Sequence, residues 1–276
     1  MKVWKVSPLY LGKITGGLDL VWPRMLPSPA ERIVFSSPYL GFLLQDGQRN
    51  IVVDTGISEK YIVNGLAWGS LPAEGGQQFM LDALEKHGLQ PADIDLVLFT
   101  HLHNDHAANS HIFSKATFVF QDEEWTNALR PLPSQLAKGD YDPNIVEEVL
   151  RMKRLMVHGD LQIDDGLKLL HTPGHTAGSQ SVIVNTHKGV IAIVGDLCLM
   201  DFMAFPDAGV LTDMNGTIYR IPTADPKVVG PAIPHGIIYD HYAFYSSINR
   251  VKSVISRDEP GYIVTGHDAS VLVRGL

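Results

Sequence analysis

Cysteine is almost absent. Cys198 is the only one in 276 residues, so no internal disulfide can form and the chain suits a reducing compartment. Long apolar runs are missing as well: none approaches the about 18 residues that a membrane-spanning helix needs, and no membrane is expected as a partner. The opening stretch Met1-Lys-Val-Trp-Lys-Val-Ser-Pro-Leu-Tyr10 holds no unbroken apolar core of the signal-peptide kind, so the expected location is the cytoplasm. Clustered positive charge is lacking too. Lys and Arg number 22 against 30 Asp and Glu, a formal −8 without a basic block, which argues against a nucleic-acid partner. Charged residues make up 19% and hydrophobic ones 45%, enough apolar content for a sizeable core and too much for disorder.

Histidine, by contrast, is present in quantity and in telling places. Twelve occur, and three of them fall within Thr100-His-Leu-His-Asn-Asp-His106, directly after the apolar run Ile94–Phe99. His101 and His103 are two apart, so on an extended backbone they project to one side. Asp105 and His106 follow past the bend and can face a second point. Four such residues suit two neighbouring divalent cations better than one, because a single tetrahedral ion would be nearly filled by this loop alone. Asp54, His175, Asp196 and His267 also follow β-rich apolar segments, and each of the last three is preceded by Gly. Small residues there let the backbone approach a metal closely. Imidazole and carboxylate without thiolate suit zinc, iron, manganese or cobalt. For Asp54, in Asp54-Thr-Gly56, two readings stand open. One is an Asx turn closing a strand; the other is an acceptor that fixes the tautomer of a ligand histidine.

Periodicity and turn signals predict strands at Val3–Tyr10, Ile33–Phe35, Tyr39–Leu44, Asn50–Asp54, Ile94–Thr100 and Thr117–Gln121. In the second half they predict strands at Leu167–His171, Ser181–Asn185, Val190–Gly195 and Tyr262–Thr265. Helices are expected at Gln77–His87, Asp122–Leu129, Pro143–Lys153 and Tyr242–Ser256. Residues Ile57–Gly76 read as a covering loop. Five prolines break every candidate helix between Leu197 and His241, so about 197–241 is expected to be an irregular lid or an oligomer contact within a single domain, 1–276. Strands, ligand-bearing loop and helix recur in both halves. That order fits two packed sheets flanked by helices, with a site at one shared edge.

The ordered set Asp54-Thr-Gly56, His101-Leu-His-Asn-Asp-His106, Gly174-His175, Gly195-Asp196 and Gly266-His267 resembles the metallo-β-lactamase-fold superfamily over nearly the whole chain. The resemblance implies an α/β fold, a four-layer αββα sandwich of two mixed β-sheets flanked by helices. It also implies a dinuclear centre. Matched motif by motif, His101, His103 and His175 would bind one metal, Asp105, His106 and His267 the second, and Asp196 would bridge them. Two divalent ions are expected, zinc first, with iron, manganese or cobalt as alternatives. A hydroxide between them would be the nucleophile.

Thr172-Pro-Gly-His-Thr-Ala-Gly-Ser-Gln-Ser181 looks most like the N-acyl-homoserine lactonase branch. That implies a hydrolase opening a lactone or similar small cyclic ester, with Asp105 passing a proton to the leaving alkoxide. Thioester or phosphoester hydrolysis and mono-iron dioxygenation are alternatives on the same fold. A non-catalytic binding protein is disfavoured because no ligand is missing. Those lactonases resemble one another in a Tyr three residues after the bridging Asp, where this chain has Leu199. Tyr239 and His241, in the polar-aromatic cluster His235–Tyr245, are the candidates to replace it as oxyanion donor. The expected partner is a small-molecule substrate, and a homodimer is left open.

Overall fold

The computed structural model describes residues 1–276. One sheet has eight strands in the spatial order Leu66–Ala67, Leu71–Gly75, Lys5–Gly17, Val34–Gln45, Asn50–Val53, Leu96–Leu98, Thr117–Gln121 and Arg154–Val157. The four from Asn50–Val53 onward run parallel, and the rest pair antiparallel. A second sheet orders Ile263–Thr265, Gly189–Gly195, Gln180–Thr186, Leu167–His171 and Leu161–Asp164, with only the first pair parallel.

Strand alternation sorts the core into three layers, because successive side chains leave a strand on opposite faces. Leu40, Phe42, Leu44, Ile51 and Val53 of the first sheet meet Val182, Val184, Ile191 and Ile193 of the second between the sheets. The residues between them point the other way. Leu43, Val52, Val97 and Phe118 pack under Met80 and Leu84 of helix Gln77–Glu85 and Ile145 and Val149 of helix Pro143–Arg151. Ile183, Ala192 and Val194 pack under Phe244, Ile248 and Val251 of helix His241–Val254. Helix, sheet, sheet, helix is the αββα sandwich expected from the sequence.

Several segments differ from their sequence-based expectations, because sheet pairing or burial outweighs local signals. Lys5–Gly17 runs on past Gly12 with a register shift between Tyr10 and Lys13. Its partner Val34–Gln45 passes unbroken through Pro38, merging two expected strands. Residues 57–76, expected as a loop, contribute the two short edge strands Leu66–Ala67 and Leu71–Gly75. The segment 197–241, expected as an irregular lid or an oligomer contact, begins packed: Leu197 to Phe205 are buried without a break in the outer core of the second sheet, while most of 207–231 lies nearer the surface. It also carries a small hairpin, Val210–Thr212 with Ile218–Arg220.

One close approach holds the two halves together near the site. Gly178 crosses the first turn of helix Asp122–Leu129, where a β-carbon would run into the backbone N and Cα of Glu124. Gly178→Ala should therefore cost about 1–3 kcal/mol, read as a lower urea midpoint with an unchanged m-value. A change below about 0.5 kcal/mol would mean that these segments separate freely.

Candidate metal centre

The parallel strands Asn50–Val53 and Leu96–Leu98 end on the same side of their sheet, delivering Asp54 and the histidine loop. Gly189–Gly195 and Ile263–Thr265 end likewise in the second sheet and deliver Asp196 and His267, while Leu167–His171 leads to His175. A single helical turn, Asn104–Ala107, follows and carries Asp105 and His106, with the His106 ring 4.1 Å from that of His101. The seven side chains form overlapping buried groups: His101, His103 and His175; Asp105, His106 and His267; and His101, His106 and Asp196. Within each group the donor atoms lie within 4.8 Å of one another.

Asp196 joins the first two groups. Its Oδ1 lies 3.2 Å from His106 Nε2 and 3.1 Å from His267 Nε2, while its Oδ2 lies 3.6 Å from His175 Nε2. Asp105 Oδ2 stands 3.6 Å from His267 Nε2 and 3.9 Å from His106 Nε2. Gly266 permits this arrangement, since a β-carbon there would come within 2.5 Å of Asp196 Oδ1.

Four imidazoles have Nδ1 tied to an oxygen, which leaves Nε2 as the free lone pair. His106 Nδ1 donates to Asp54 Oδ2 at 2.8 Å, His175 Nδ1 to the carbonyl of Ile237 at 3.0 Å, and His267 Nδ1 to the carbonyl of Pro38 at 2.9 Å. His101 Nδ1 lies 3.1 Å from Thr100 Oγ1, whose own proton goes to Asp54 Oδ2. His103 is the exception and turns Nδ1 toward His175 Nε2, at 3.0 Å. Between the two sequence readings of Asp54, the acceptor is what forms. Its carboxylate also takes the Thr100 amide proton at 2.7 Å, and its backbone sits at φ 57°, a conformation that few non-glycine residues adopt.

Whether the site fits cations can be judged from what its atoms lack. Nε2 of His101 and of His106 and Oδ1 of Asp196 are buried without a hydrogen-bond partner. Buried acceptors are rarely left bare, and divalent ions held among these groups would satisfy all three. Titration leads the same way. Burial pushes His101 and His103 well below the usual imidazole range, and neighbouring imidazoles add to it. Burial also takes His175 down to about 4, against the pull of Asp196. Burial opposes charge on His106 and His267 as well, but the carboxylates, Asp196 foremost, outweigh it and raise both. Asp196 is held well below the carboxylate range despite burial, by His267 and His106, whereas burial raises Asp105. The donor set fits divalent ions.

Supporting contacts surround the cluster, and the foremost, Glu124, carried no sequence signal. Buried Glu124 accepts from the Leu102 amide at 2.9 Å, Tyr141 Oη at 2.8 Å and Thr176 Oγ1 at 2.5 Å, bracing the histidine loop against the His175 loop. Thr55 donates its amide proton to the carbonyl of His106 and its hydroxyl to that of Ala108. His235 is fully buried and donates from Nε2 to the carbonyl of Asp196 at 2.8 Å. Tyr239 lies beside the site, its ring 6.4 Å from that of His175, but its hydroxyl is spent on Asp140 Oδ2 at 3.0 Å. His241 does not join the cluster. Asp240 caps helix His241–Val254 through the Ala243 amide, and this leaves His241 exposed and outside the cluster.

A cavity of about 420 Å³ opens onto the donor atoms, bounded there by His103, Asp105, Asp196 and His267. Apolar side chains make up about half of its lining, among them Ile14, Leu20, Phe35, Leu71, Leu199 and Met200.

Residues 39–267 match the Metallo-beta-lactamase superfamily. The chain belongs to that superfamily. It is 26% identical over 238 residues to an N-acyl homoserine lactonase of a Bacillus species, covering 84% of this chain and 81% of the relative. It is 27% identical over 210 residues to N-acyl homoserine lactonase AiiB of Agrobacterium fabrum, covering 69% and 74%. In fold it is similar to an N-acyl homoserine lactone hydrolase solved with N-hexanoyl-L-homoserine at its catalytic metal centre. The TM-score is 0.73 at 22% identity, over 100% of this chain and 98% of that one. Membership and the His/Asp clusters support a metal-dependent hydrolase. No helix is long and apolar enough to cross a membrane.

His235 gives a pH test of the frame behind Asp196. Burial, with the charge of His175 adding, lowers it to about 3. Its folded value lies below its unfolded one near 6.5, so between those values the unfolded chain alone carries the proton. Stability from this residue is thus lost as pH falls, by about 1.4 kcal/mol per unit. His235→Gln keeps a donor but cannot titrate. The stability advantage of the wild type over this variant should shrink as pH falls from 7 to 4 in urea unfolding; a constant gap would contradict the assignment.

Proposed function

We propose that the protein is a dinuclear metallohydrolase that opens lactones carrying an apolar acyl chain, of the N-acyl-homoserine lactone kind. The observation that carries this is the Asp196 carboxylate, with one oxygen toward each histidine group, at the end of an apolar cavity. In this reading His101, His103 and His175 hold one ion, Asp105, His106 and His267 the other, and Asp196 both, with zinc as the ion best suited to nitrogen and oxygen donors in small coordination shells. Bound there, two cations would bring a water's pKa near neutrality and polarise an acyl oxygen.

The chain's own residues do the rest. The apolar wall takes the acyl chain and excludes water, while the charged end receives the polar ring, so orientation follows from amphipathicity. Asp105 borders the cavity and is buried beside His267, and in this reading it carries the proton to the ring oxygen as the acyl–oxygen bond breaks. The product is a carboxylate and a free hydroxyl, and no further reactant is needed. Relatives named N-acyl homoserine lactonases support the same substrate class.

The test is a hydrolysis panel of lactones, thioesters, phosphoesters and β-lactams on zinc-loaded protein. Lactones should give the highest kcat/KM, rising with acyl length until about 420 Å³ is filled. A preference for phosphoesters or thioesters would overturn the substrate assignment. Asp105→Asn should lower kcat on the best substrate by about 10²- to 10⁴-fold; unchanged turnover would remove Asp105 from the proton path.

A further inference from the structure

Apart from the His and Asp side chains of the candidate metal centre, the cavity lining holds a buried polar group with no partner in the protein. Tyr39, in strand Val34–Gln45, is fully buried, and its phenol oxygen has no hydrogen-bond partner. Buried hydroxyls almost always find one, so an orphan calls for a reason. The other tyrosines near the site are all engaged. Tyr61 donates to the carbonyl of Gly139, Tyr141 to Glu124 and Tyr239 to Asp140.

The position of Tyr39 supplies the reason. Its ring stands edge-to-face with His267, centroids 6.1 Å apart, and 6.3 Å from the ring of Trp68. It lines the cavity together with Asp105, Asp196 and His267. Leu199 and Met200 line the same cavity and offer no donor. A tyrosine phenol keeps its proton at neutral pH, so toward an anionic oxygen it acts as a donor.

We propose that Tyr39 is a catalytic residue, its phenol donating a hydrogen bond to the acyl oxygen of the bound ester. This rests on the hydrolytic reading above. As water's oxygen bonds to the acyl carbon, the carbonyl π pair moves onto the acyl oxygen, and the Tyr39 hydrogen bond strengthens with that charge. The pair then returns, the acyl–oxygen bond breaks, and the leaving oxygen takes a proton. Tyr39 keeps its own proton throughout, so nothing is consumed. A donor fixed in a dry site before reaction stabilises the transition state more than the ground state.

Tyr39→Phe keeps the ring packed against His267 and Trp68 and removes only the unpaired hydroxyl. In zinc-loaded protein kcat on the best lactone should fall about 10- to 10³-fold with KM changed less than about threefold. Metal content should be unchanged, and Tm equal or higher, because an unsatisfied group has gone. Binding of N-hexanoyl-L-homoserine, measured by calorimetry, should weaken about tenfold, its carboxylate standing in for the acyl oxygen. Equal product affinity in variant and wild type would overturn the role of Tyr39, as would a kcat within about twofold or a loss of metal that parallels the loss of rate. Failure of the wild type to open any lactone would instead overturn the hydrolytic reading, and the calorimetry then decides on Tyr39 alone.

Discussion

Everything in this protein turns on a concentration of buried lone pairs that the chain cannot satisfy by itself. Imidazole nitrogens and a carboxylate oxygen meet at the end of the sandwich, several of them buried without a hydrogen-bond partner. Such a focus is costly in an empty interior and favourable around divalent ions, so the fold is built toward a loaded state. The depressed His101 and His103 and the raised His106 and His267 are two sides of that arrangement. Some of these histidines are held neutral, and others borrow protons that cations would replace.

The frame that maintains the focus is spread over the chain. Asp54 and Thr55 grip the helical turn at His106 from one sheet, and Glu124 ties the histidine loop to the His175 loop. The segment after Asp196 returns to it: Ile237 holds His175, and His235 holds the Asp196 carbonyl. This is why the two ends of the segment 197–238 are packed. A stretch that anchors two site residues has to be as ordered as they are, and its apolar content, Leu197 to Phe205, fixes it to the second sheet.

Much of this was legible in the sequence where the physics is local. A strand's apolar alternation, glycine before a ligand, and the spacing of His101, His103, Asp105 and His106 are set within a few residues, and they led to the sandwich and to the seven side chains that converge. What depends on distant partners was not legible. Glu124 reads as an ordinary acid in a helix's first turn, and nothing in its neighbours announces that Leu102 and Thr176 will arrive. Tyr39 reads as a strand-core aromatic, because sequence cannot say that a hydroxyl ends without a partner. His241 looked apt by type, but capping by Asp240 decides its direction. Asp54 stood open between two roles until His106 was seen against it.

The central claim is that the site is a joint product of both sheets, so that metal and fold are one cooperative unit. Hydrogen exchange of the zinc-loaded and chelator-treated protein tests it most directly. The account predicts that removing metal lowers amide protection in both sheets together, at Ile51–Val53 and Leu96–Leu98 as well as at Ile191–Val194 and Ile263–Thr265. Loss of protection confined to the loop 100–108, with the second sheet unaffected, would contradict it.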